Sequence, residues 1–360
     1  MAKPFLANQF VVDGEIGDGW FHANPVGDIQ TYSSAGTLSS IELLRDTPDE
    51  IRYRITHILK VPESLEWQGT IREKYAGIGR SDHVSTIKIQ SEIGLRSGSP
   101  GLDYKLSVDN NALDFRLRVL FPTTVIDDYF AHQTFAVINR PSGRIWGDTT
   151  RCWKESEPIE KNFSGFLGKR NKNGQGLAII APAGLHEAAA WDDEDGTVAI
   201  TLLRAFRRTM LTSGEGKGQL QGIHNYDMML RPICKDTSYA QLHRDSLFYG
   251  TDLLQQTISA TKLEIPEQKP AIILDGDDIV YSTFSSEDPT GRTATLRICN
   301  YSDKGAKGTV QFRDPLQSID AVDFLGSSSD GHAAKLLNPN KAILSLDAWK
   351  IATYTVRFKD

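Results

Sequence analysis

The segment LDYKLSVDNNALDFRLRVLFPT, which runs from Leu102 to Thr123, reads as two β-strands joined by a turn. Asp109-Asn110-Asn111 separates two apolar runs, and Asn and Asp tolerate the left-handed backbone conformations that tight turns need. After the turn, large apolar residues occupy every second position, so one face of the second strand is predicted to join a core. The residues of that face are Phe115, Leu117, Val119 and Phe121.

The opposite face of the second predicted strand is charged. It carries Asp114, Arg116 and Arg118, and the strand ends at Pro122, which cannot donate a ladder hydrogen bond. Two interpretations fit this row of charges. The three side chains hold a loop or contact a polar substrate, or they form a ladder of ion pairs between neighbouring strands, as structural ion-pair networks do.

The rest of the chain also carries mostly strand-like patterns. Short runs rich in β-forming residues recur between clusters of Gly, Asn, Asp and Ser, which predicts an all-β protein. The runs are Ile51–Lys60, Val84–Gln90, Phe130–Val137, Gly176–Ala181, Thr197–Arg204, Asp278–Ser282, Thr293–Asn300, Ala342–Leu346 and Ile351–Phe358. One segment, Ser238–Leu254, has a partial apolar stripe at helical spacing and predicts a helix.

The length and charge of the chain limit its organisation and partners. A chain of 360 residues is long enough for two domains, and prolines and charges interrupt the periodicity near residues 262–271. We therefore predict a large domain at 1–262 and a small domain at 263–360. The net charge is -6 without a basic stripe, so a nucleic-acid partner is not expected.

The location of the protein is predicted from its apolar runs and its cysteines. No run approaches the length that crosses a bilayer, and the first residues lack the apolar core of a signal peptide. The three cysteines, Cys152, Cys234 and Cys299, lie far apart in the sequence. A sparse, odd set favours reduced thiols over a disulfide framework, which predicts a cytoplasmic protein with no membrane partner.

Several motifs together resemble one known family. Asp109-Asn110, then the run from Asp114 to Arg118, then Phe121-Pro122-Thr123 resemble a signature in the C-terminal β region of family 38 glycoside hydrolases. These are zinc-dependent α-mannosidases and mannosylglycerate hydrolases. Phe115 stands where the family usually has His. The resemblance extends from about residue 8 to the end, through the segments Gly17–Pro25, Gly184–Glu187 and Leu296–Asn300.

The resemblance implies a particular all-β fold. A large antiparallel β-sandwich of the galactose-mutarotase-like supersandwich type, here incomplete, is followed by a small C-terminal β-sandwich. In the family, a preceding α/β barrel carries the catalytic Asp and the zinc ligands. This chain lacks the alternation of strands and helices that a barrel requires. We therefore interpret it as a C-terminal portion, from a split gene, a truncated gene or an excised fragment, with no catalytic residue and no metal ligand of its own.

Five residues on matched motifs are candidates for substrate binding. Asp18, Trp20 and His22 belong to a loop that, by the resemblance, approaches the sugar site, while His186 and Glu187 follow a glycine turn on the same side. Aromatic faces and polar side chains suit a sugar, but a loop packed on its own domain and a solvated turn fit equally well. Asp114, Arg116 and Arg118 are predicted to support these residues.

The function implied by the resemblance is a share in α-mannoside hydrolysis. We expect the chain to scaffold and wall the sugar site and to be inactive alone, with zinc bound in the missing catalytic domain. Two alternatives remain open: a free-standing carbohydrate-binding module, and a subunit that docks a separately encoded catalytic domain. The expected partner in each sugar-binding case is an α-mannoside or a related carbohydrate.

Overall fold

A computed structural model describes most of the chain and confirms the all-β prediction. The described residues are 8–20, 22–25, 31–67, 79–143, 159–182, 184–207, 216–251, 270–286, 288–332 and 334–359. Two compact units are present, one formed by Met1–Ala131 with Asn139–Cys234 and the other by His132–Ile138 with Lys235–Asp360. Each unit has its own hydrophobic core.

The largest sheet is antiparallel and has nine strands. In spatial order they are β11 (Ala136–Arg140), β10 (Tyr129–Gln133), β13 (Gly165–Arg170), β14 (Gly176–Ala181), β17 (Gly222–Ile233), β8 (Leu102–Asn110), β7 (Val84–Arg96), β4 (Glu50–Pro62) and β3 (Leu38–Thr47). The predicted strand Phe130–Val137 is therefore two strands, because the chain turns at Phe135, whose φ is 65°.

A six-stranded sheet packs against the central part of the nine-stranded one. Its strands in spatial order are β12 (Lys161–Asn162), β15 (Glu187–Ala190), β16 (Val198–Ala205), β9 (Phe115–Phe121), β1 (Gln9–Gly14) and β2 (Thr31–Ser33). The main core of this unit contains alternate residues of both sheets, among them the predicted core face of β9. A short two-stranded sheet, β5 (Leu65–Glu66) with β6 (Gly79–Arg80), completes the unit.

The turn between β8 and β9 differs from a simple hairpin. Both predicted strands exist, but β8 lies in the nine-stranded sheet and β9 in the six-stranded sheet, so the connection crosses the core. The left-handed residue of this connection is Asp114, whose φ is 56°. Asp tolerates this conformation because its short side chain can form local hydrogen bonds.

The second unit is built from two four-stranded antiparallel sheets around one core. The first sheet contains β18 (Ile272–Asp275), β21 (Ala306–Phe312), β24 (Lys341–Leu346) and β23 (Ala334–Asn338). The second contains β19 (Ile279–Ser285), β20 (Thr293–Asn300), β25 (Ile351–Phe358) and β22 (Leu316–Val322). The sequence predicted β20 and β25 with the bounds that the structure has.

The described residues contain one α-helix, α1 (Tyr239–Tyr249). Ser238 caps its N-terminus by accepting a hydrogen bond from Gln241 N, which agrees with the predicted start. The helix ends at Tyr249, before the predicted end at Leu254. Positions 252–254 of the predicted helix and the predicted domain boundary after residue 262 lie outside the described residues. In the described part of the chain, no helix is long and apolar enough to span a membrane. A 3₁₀ turn, Gly216–Gln219, precedes β17.

Candidate functional site

The outer face of the six-stranded sheet holds a buried group of charged side chains. Asp13 on β1 is directly opposite Arg116 on β9, so both side chains lie on the same face. Asp13 Oδ2 is 2.5 Å from Arg116 Nη2 and 3.3 Å from Arg118 Nη2. The interpretation of Arg116 and Arg118 as members of an inter-strand ladder therefore fits their geometry.

Glu160 supplies a second carboxylate to the same two arginines. Its Oε1 atom is 2.5 Å from Arg116 Nη1 and 3.7 Å from Arg118 Nη1. Burial alone would raise the pKa of Glu160, but the charges of Arg116 and Arg118 and the hydrogen bonds of the carboxylate together outweigh that effect and hold the pKa below its usual value. We call the four side chains of Asp13, Arg116, Arg118 and Glu160 the charge cluster.

Glu15, which directly follows β1, organises the loop that carries the predicted sugar-binding residues. Its carboxylate is fully buried and accepts hydrogen bonds from Gly17 N at 2.6 Å and Ala23 N at 3.2 Å. It also contacts His22 Nδ1 at 2.8 Å and accepts from Arg204 Nε at 2.9 Å. Burial would raise the pKa of Glu15, but His22 and Arg204 lower it below its usual value. One carboxylate therefore fixes both ends of the loop.

Asp18 and Trp20, two predicted residues of this loop, have different surroundings. Asp18 Oδ1 accepts a 2.8 Å hydrogen bond from Trp20 N, and Asp18 O accepts one of 2.7 Å from Arg204 Nη2. These contacts hold the backbone of the loop tip. The Trp20 side chain remains 62% exposed. A large aromatic ring is thus presented to solvent on a loop with a rigid base.

His22 links Glu15 to the charge cluster. While its Nδ1 atom contacts Glu15, its Nε2 atom is 3.0 Å from Asn24 Oδ1 and 3.7 Å from Asp13 Oδ2. Both ring nitrogens therefore have polar neighbours within the protein. His22 lies on the same loop as Asp18 and Trp20, but its side chain faces inward.

Glu187 and His186 differ in their relation to the charge cluster. Glu187 begins β15, and its charge acts on Arg118, although its Oε1 atom is buried and has no hydrogen-bond partner in the described part of the chain. His186 is exposed, and its Nδ1 atom is 3.3 Å from the Gly184 carbonyl oxygen.

Trp191 adds an aromatic contact to the charge cluster. The guanidinium carbon of Arg118 is 5.3 Å from the centre of the Trp191 ring.

Asp114 does not belong to the charged row that the sequence predicted. It precedes β9, and its Oδ2 atom accepts hydrogen bonds from Trp67 Nε1 at 2.7 Å and Leu65 N at 3.3 Å. Its Oδ1 atom accepts one from Gln219 Nε2 at 2.7 Å. The left-handed backbone at Asp114 breaks the alternation, so its side chain turns away from Arg116. Asp114 fixes the entry to β9 instead.

Comparisons with known proteins agree on one family, although no protein-family model matches the chain. Over 200 residues the chain is 26% identical to the protein named "Putative mannosylglycerate hydrolase" from Halalkalibacterium halodurans, which covers 53% of this chain and 21% of that protein. Two solved structures from Enterococcus faecalis each match 98% of the chain at 18% identity. One, a protein in glycosyl hydrolase family 38, has a TM-score of 0.77, and the other, an α-mannosidase from strain V583, has a TM-score of 0.80.

The chain resembles the C-terminal β region of family 38 glycoside hydrolases. The prediction made from its motifs is thereby confirmed as a likeness of sequence and fold. The chain spans 40% and 38% of the two solved structures and a smaller share of the Halalkalibacterium protein.

Five residues of this site were not singled out from the sequence: Asp13, Glu15, Glu160, Trp191 and Arg204. Asp13 and Glu15 had a detectable signal, because two acidic residues at i and i+2 follow the apolar run Phe10-Val11-Val12 and come directly before Ile16. Arg204 lies at the end of a predicted strand, but nothing in the sequence connects it to Glu15. Glu160 and Trp191 had no signal, because their contacts join segments far apart in the chain.

The carboxylates of the charge cluster and of Glu15 are paired with cations. A glycosidase needs one carboxyl group that is protonated at the working pH and a second that is free to attack or to act as base. Glu15 and Glu160 have lowered pKa values, and arginines contact both of them as well as Asp13. The ionised forms of Glu15 and Glu160 are therefore favoured, and arginines contact all three carboxylates.

The zinc that the resemblance implies does not fit the described residues. Among them, no group of three or more His, Cys, Asp or Glu side chains is arranged to hold a metal ion. Structural and catalytic zinc sites need at least three such ligands.

Proposed function

We propose that this chain scaffolds and forms one wall of an α-mannoside site and does not hydrolyse the sugar by itself. The observation that supports this most strongly is Trp20, an exposed ring on a loop whose base is held by the buried carboxylate of Glu15. A tryptophan that is fixed in position but open to solvent can stack on the C–H face of a sugar without a large loss of side-chain entropy on binding.

Polar groups around Trp20 suit the rim of a sugar site. Asp18 and Asn24 lie on the same loop, and both are at least partly exposed. Carboxylate and amide oxygens accept hydrogen bonds from sugar hydroxyls. In this proposal, His22, Glu187 and the charge cluster position the wall from beneath, and His186 lies at its edge.

In this proposal, the hydrolytic step belongs to the catalytic domain that the resemblance implies, and not to this chain. Among the described residues, Asp114 is the carboxyl group whose pKa is raised, because burial outweighs the hydrogen bonds from Trp67 and Gln219. Those hydrogen bonds occupy both of its oxygens at the entry of β9. We extend to this chain, as part of the proposal, the substrates that the relatives' names mention, α-mannosides and mannosylglycerate.

The first test is an assay of the purified chain on an aryl α-mannoside, with and without added zinc. We expect no turnover in either condition. Turnover that depends on zinc and survives repurification would overturn the proposal, because a catalytic site would then exist in this chain.

The second test measures binding of methyl α-mannoside by calorimetry. The wild-type chain should bind weakly, and Trp20→Ala should abolish binding without a change in thermal stability. Phe248→Ala is the matched control, because Phe248 is an exposed aromatic residue, 82% accessible, on α1 in the second unit. If Trp20→Ala and Phe248→Ala bind like the wild type, Trp20 has no part in sugar recognition.

Trp20 also supports a second candidate, a free-standing carbohydrate-binding module. The two functions differ in what accompanies the chain. A module binds the sugar at full affinity alone, whereas one wall of a larger site gains affinity when a catalytic domain is added. A cytoplasmic location belongs to the same proposal and rests on the sparse, odd set of cysteines in the sequence.

A further inference from the structure

Three aromatic rings meet in the second unit. His132 belongs to the segment His132–Ile138 of that unit, His243 lies on α1, and Tyr301 directly follows β20. The ring centres of His243 and Tyr301 are 4.6 Å apart in a stacked arrangement, and those of His132 and His243 are 5.1 Å apart. His132 Nε2 is 3.0 Å from Tyr301 Oη. We call these three side chains the ring cluster.

The ring cluster has little access to water. His132 and Tyr301 are buried. His243 is half-buried, and its Nδ1 atom is enclosed and has no hydrogen-bond partner in the part of the chain that the structure describes. A protonated imidazole carries a charge and two N–H donors, which need polar partners or water. The surroundings of the cluster therefore favour neutral imidazoles.

The charges around the two imidazoles are positive. Among the described residues, the charged groups that act on them are Arg244 and, once protonated, the other imidazole. Arg244 Nη2 donates hydrogen bonds to the carbonyl oxygens of Gly276 and Ile279 at 2.7 and 2.8 Å, which fixes its charge beside His243. Asp245, the nearest carboxylate along α1, is two positions from His243, and residues at that spacing do not face each other on a helix.

Burial and these positive neighbours lower the pKa of both imidazoles. Burial and His243 lower the pKa of His132 to about 3, and burial and Arg244 lower the pKa of His243 to about 4. Burial raises the pKa of the Tyr301 hydroxyl and of the nearby Cys299 thiol, so both groups stay neutral in acid. Only the two imidazoles of this neighbourhood therefore change charge when the solution is mildly acidified.

We propose that the ring cluster is an acid-sensitive latch, which holds α1 in the second unit and opens when His132 and His243 take up protons. Two imidazolium rings whose centres are 5.1 Å apart repel each other, and in the closed cluster neither has water to solvate its charge. Opening exposes both rings to water and relieves both costs. Protonation and opening are therefore coupled.

The other attachments of α1 that the structure describes do not titrate under mild acid. Arg244 keeps its charge and its carbonyl partners, and the rings of Tyr239 and Trp349, whose centres are 6.3 Å apart, carry no group that gains a proton. The dependence of the α1 contacts on pH is thus expected to come from the ring cluster.

The pH at which the latch opens follows from the direction of the pKa shifts. Imidazoles exposed to water have a pKa of about 6.5, whereas those of the closed latch bind protons only at lower pH. The latch is therefore fully stable above about pH 6.5, and it loses stability as the pH falls from there towards the folded pKa values. In that window each imidazole raises the opening constant about tenfold per pH unit, so that the two together raise it about a hundredfold.

The test is hydrogen exchange of the full chain between pH 7 and 5, corrected for the intrinsic effect of pH on amide exchange. Exchange of the α1 amides reports the opening of the latch, and exchange of the β24 amides reports the unfolding of the core of the second unit. In the wild type, the logarithm of the α1 opening constant should rise by about two per unit of falling pH, while β24 stays protected.

Two variants test the two histidines separately. His243→Phe keeps a ring against Tyr301, and His132→Gln keeps a polar group near its hydroxyl, but each removes one titrating site. Each should reduce the slope for α1 from about two to about one. His83→Gln is the matched control, because His83 is an exposed histidine of the first unit. This variant should exchange like the wild type.

Three results would overturn the proposal. One is an α1 opening constant in the wild type that does not change with pH. Another is a slope that neither His243→Phe nor His132→Gln reduces. The third is a loss of β24 protection in step with that of α1, because the ring cluster would then be part of the core of the unit and not a latch on α1.

Discussion

Arg204 Nε donates a 2.9 Å hydrogen bond to Glu15 Oε2, although β9 separates the strands that carry these two residues. The contact spans three strands of the six-stranded sheet. It connects the loop that begins at Gly17 to β16, so the position of Trp20 depends on the assembled sheet. Because this long-range contact positions the loop, a substitution of the buried Glu15 carboxylate tests its contribution.

Replacing Glu15 by Gln should alter the acid dependence of stability. The folded pKa of Glu15 lies below the usual value of 4.5, so its ionised form stabilises the fold above that pH. This contribution disappears as the pH falls through the folded pKa. The wild type should exceed Glu15→Gln in unfolding free energy by a constant amount from pH 7 to 5, and the two should converge below about pH 4.5. Urea unfolding at each pH measures the difference, and an unchanged difference at pH 3 would contradict the prediction.

Removing Arg116 should destabilise the first unit strongly. Arg116→Met leaves the carboxylates of Asp13 and Glu160 buried without their closest cation, which costs about 3–5 kcal/mol for a buried pair. Lys105→Ala is the control, because Lys105 and Asp227 form an exposed pair at 3.9 Å, whose loss costs about 0–1 kcal/mol. Urea unfolding followed by far-ultraviolet circular dichroism gives both values. Equal effects would mean that the charge cluster adds nothing to stability.

Asp114 should tolerate Asn better than Ala. Asp114→Ala removes the acceptor for Trp67, Leu65 and Gln219, and an unsatisfied buried donor costs about 1–3 kcal/mol. Asn keeps one acceptor oxygen, which can serve Trp67 and Leu65, but its NH2 group would face Gln219 Nε2; it also tolerates a φ of 56°. Thermal unfolding should therefore rank Asp114→Asn below the wild type and above Asp114→Ala. An equal loss in the two variants would show that the retained acceptor does not matter at this position.

Gly14→Ala should reduce the free energy of sugar binding by more than it reduces the free energy of unfolding. A Cβ atom at Gly14 would lie 2.7 Å from Pro25 Cγ, so the end of the Trp20 loop must shift. Gly79→Ala is the control, because its Cβ would meet nothing closer than Glu66 Oε2 at 3.8 Å. Calorimetry with methyl α-mannoside should give a weaker affinity for Gly14→Ala alone. Unchanged binding in that variant would separate the loop from sugar recognition.

The strands were predictable from the sequence where local pattern alone sets them. β20 and β25 alternate regularly and end at turn-forming residues, so their bounds follow from composition. The partners of β9 were not predictable, because β1 lies about a hundred residues before it and β16 about eighty residues after it. The same limit applies to the site. Arg116 and Arg118 could be found on one strand face, whereas Glu160 and Arg204 join them only through sheet pairing.

The position of β17 between β14 and β8 has a consequence for synthesis on the ribosome. Asn110 at the end of β8 pairs with Gly222, and its side chain bonds to the carbonyl of Leu220, 110 residues further along the chain. At typical elongation rates, β8 waits roughly 5–20 s for this partner. During that time one of its backbone edges remains unpaired in the nascent chain, so yield in cells should depend on chaperones that shield β8 until translation passes β17.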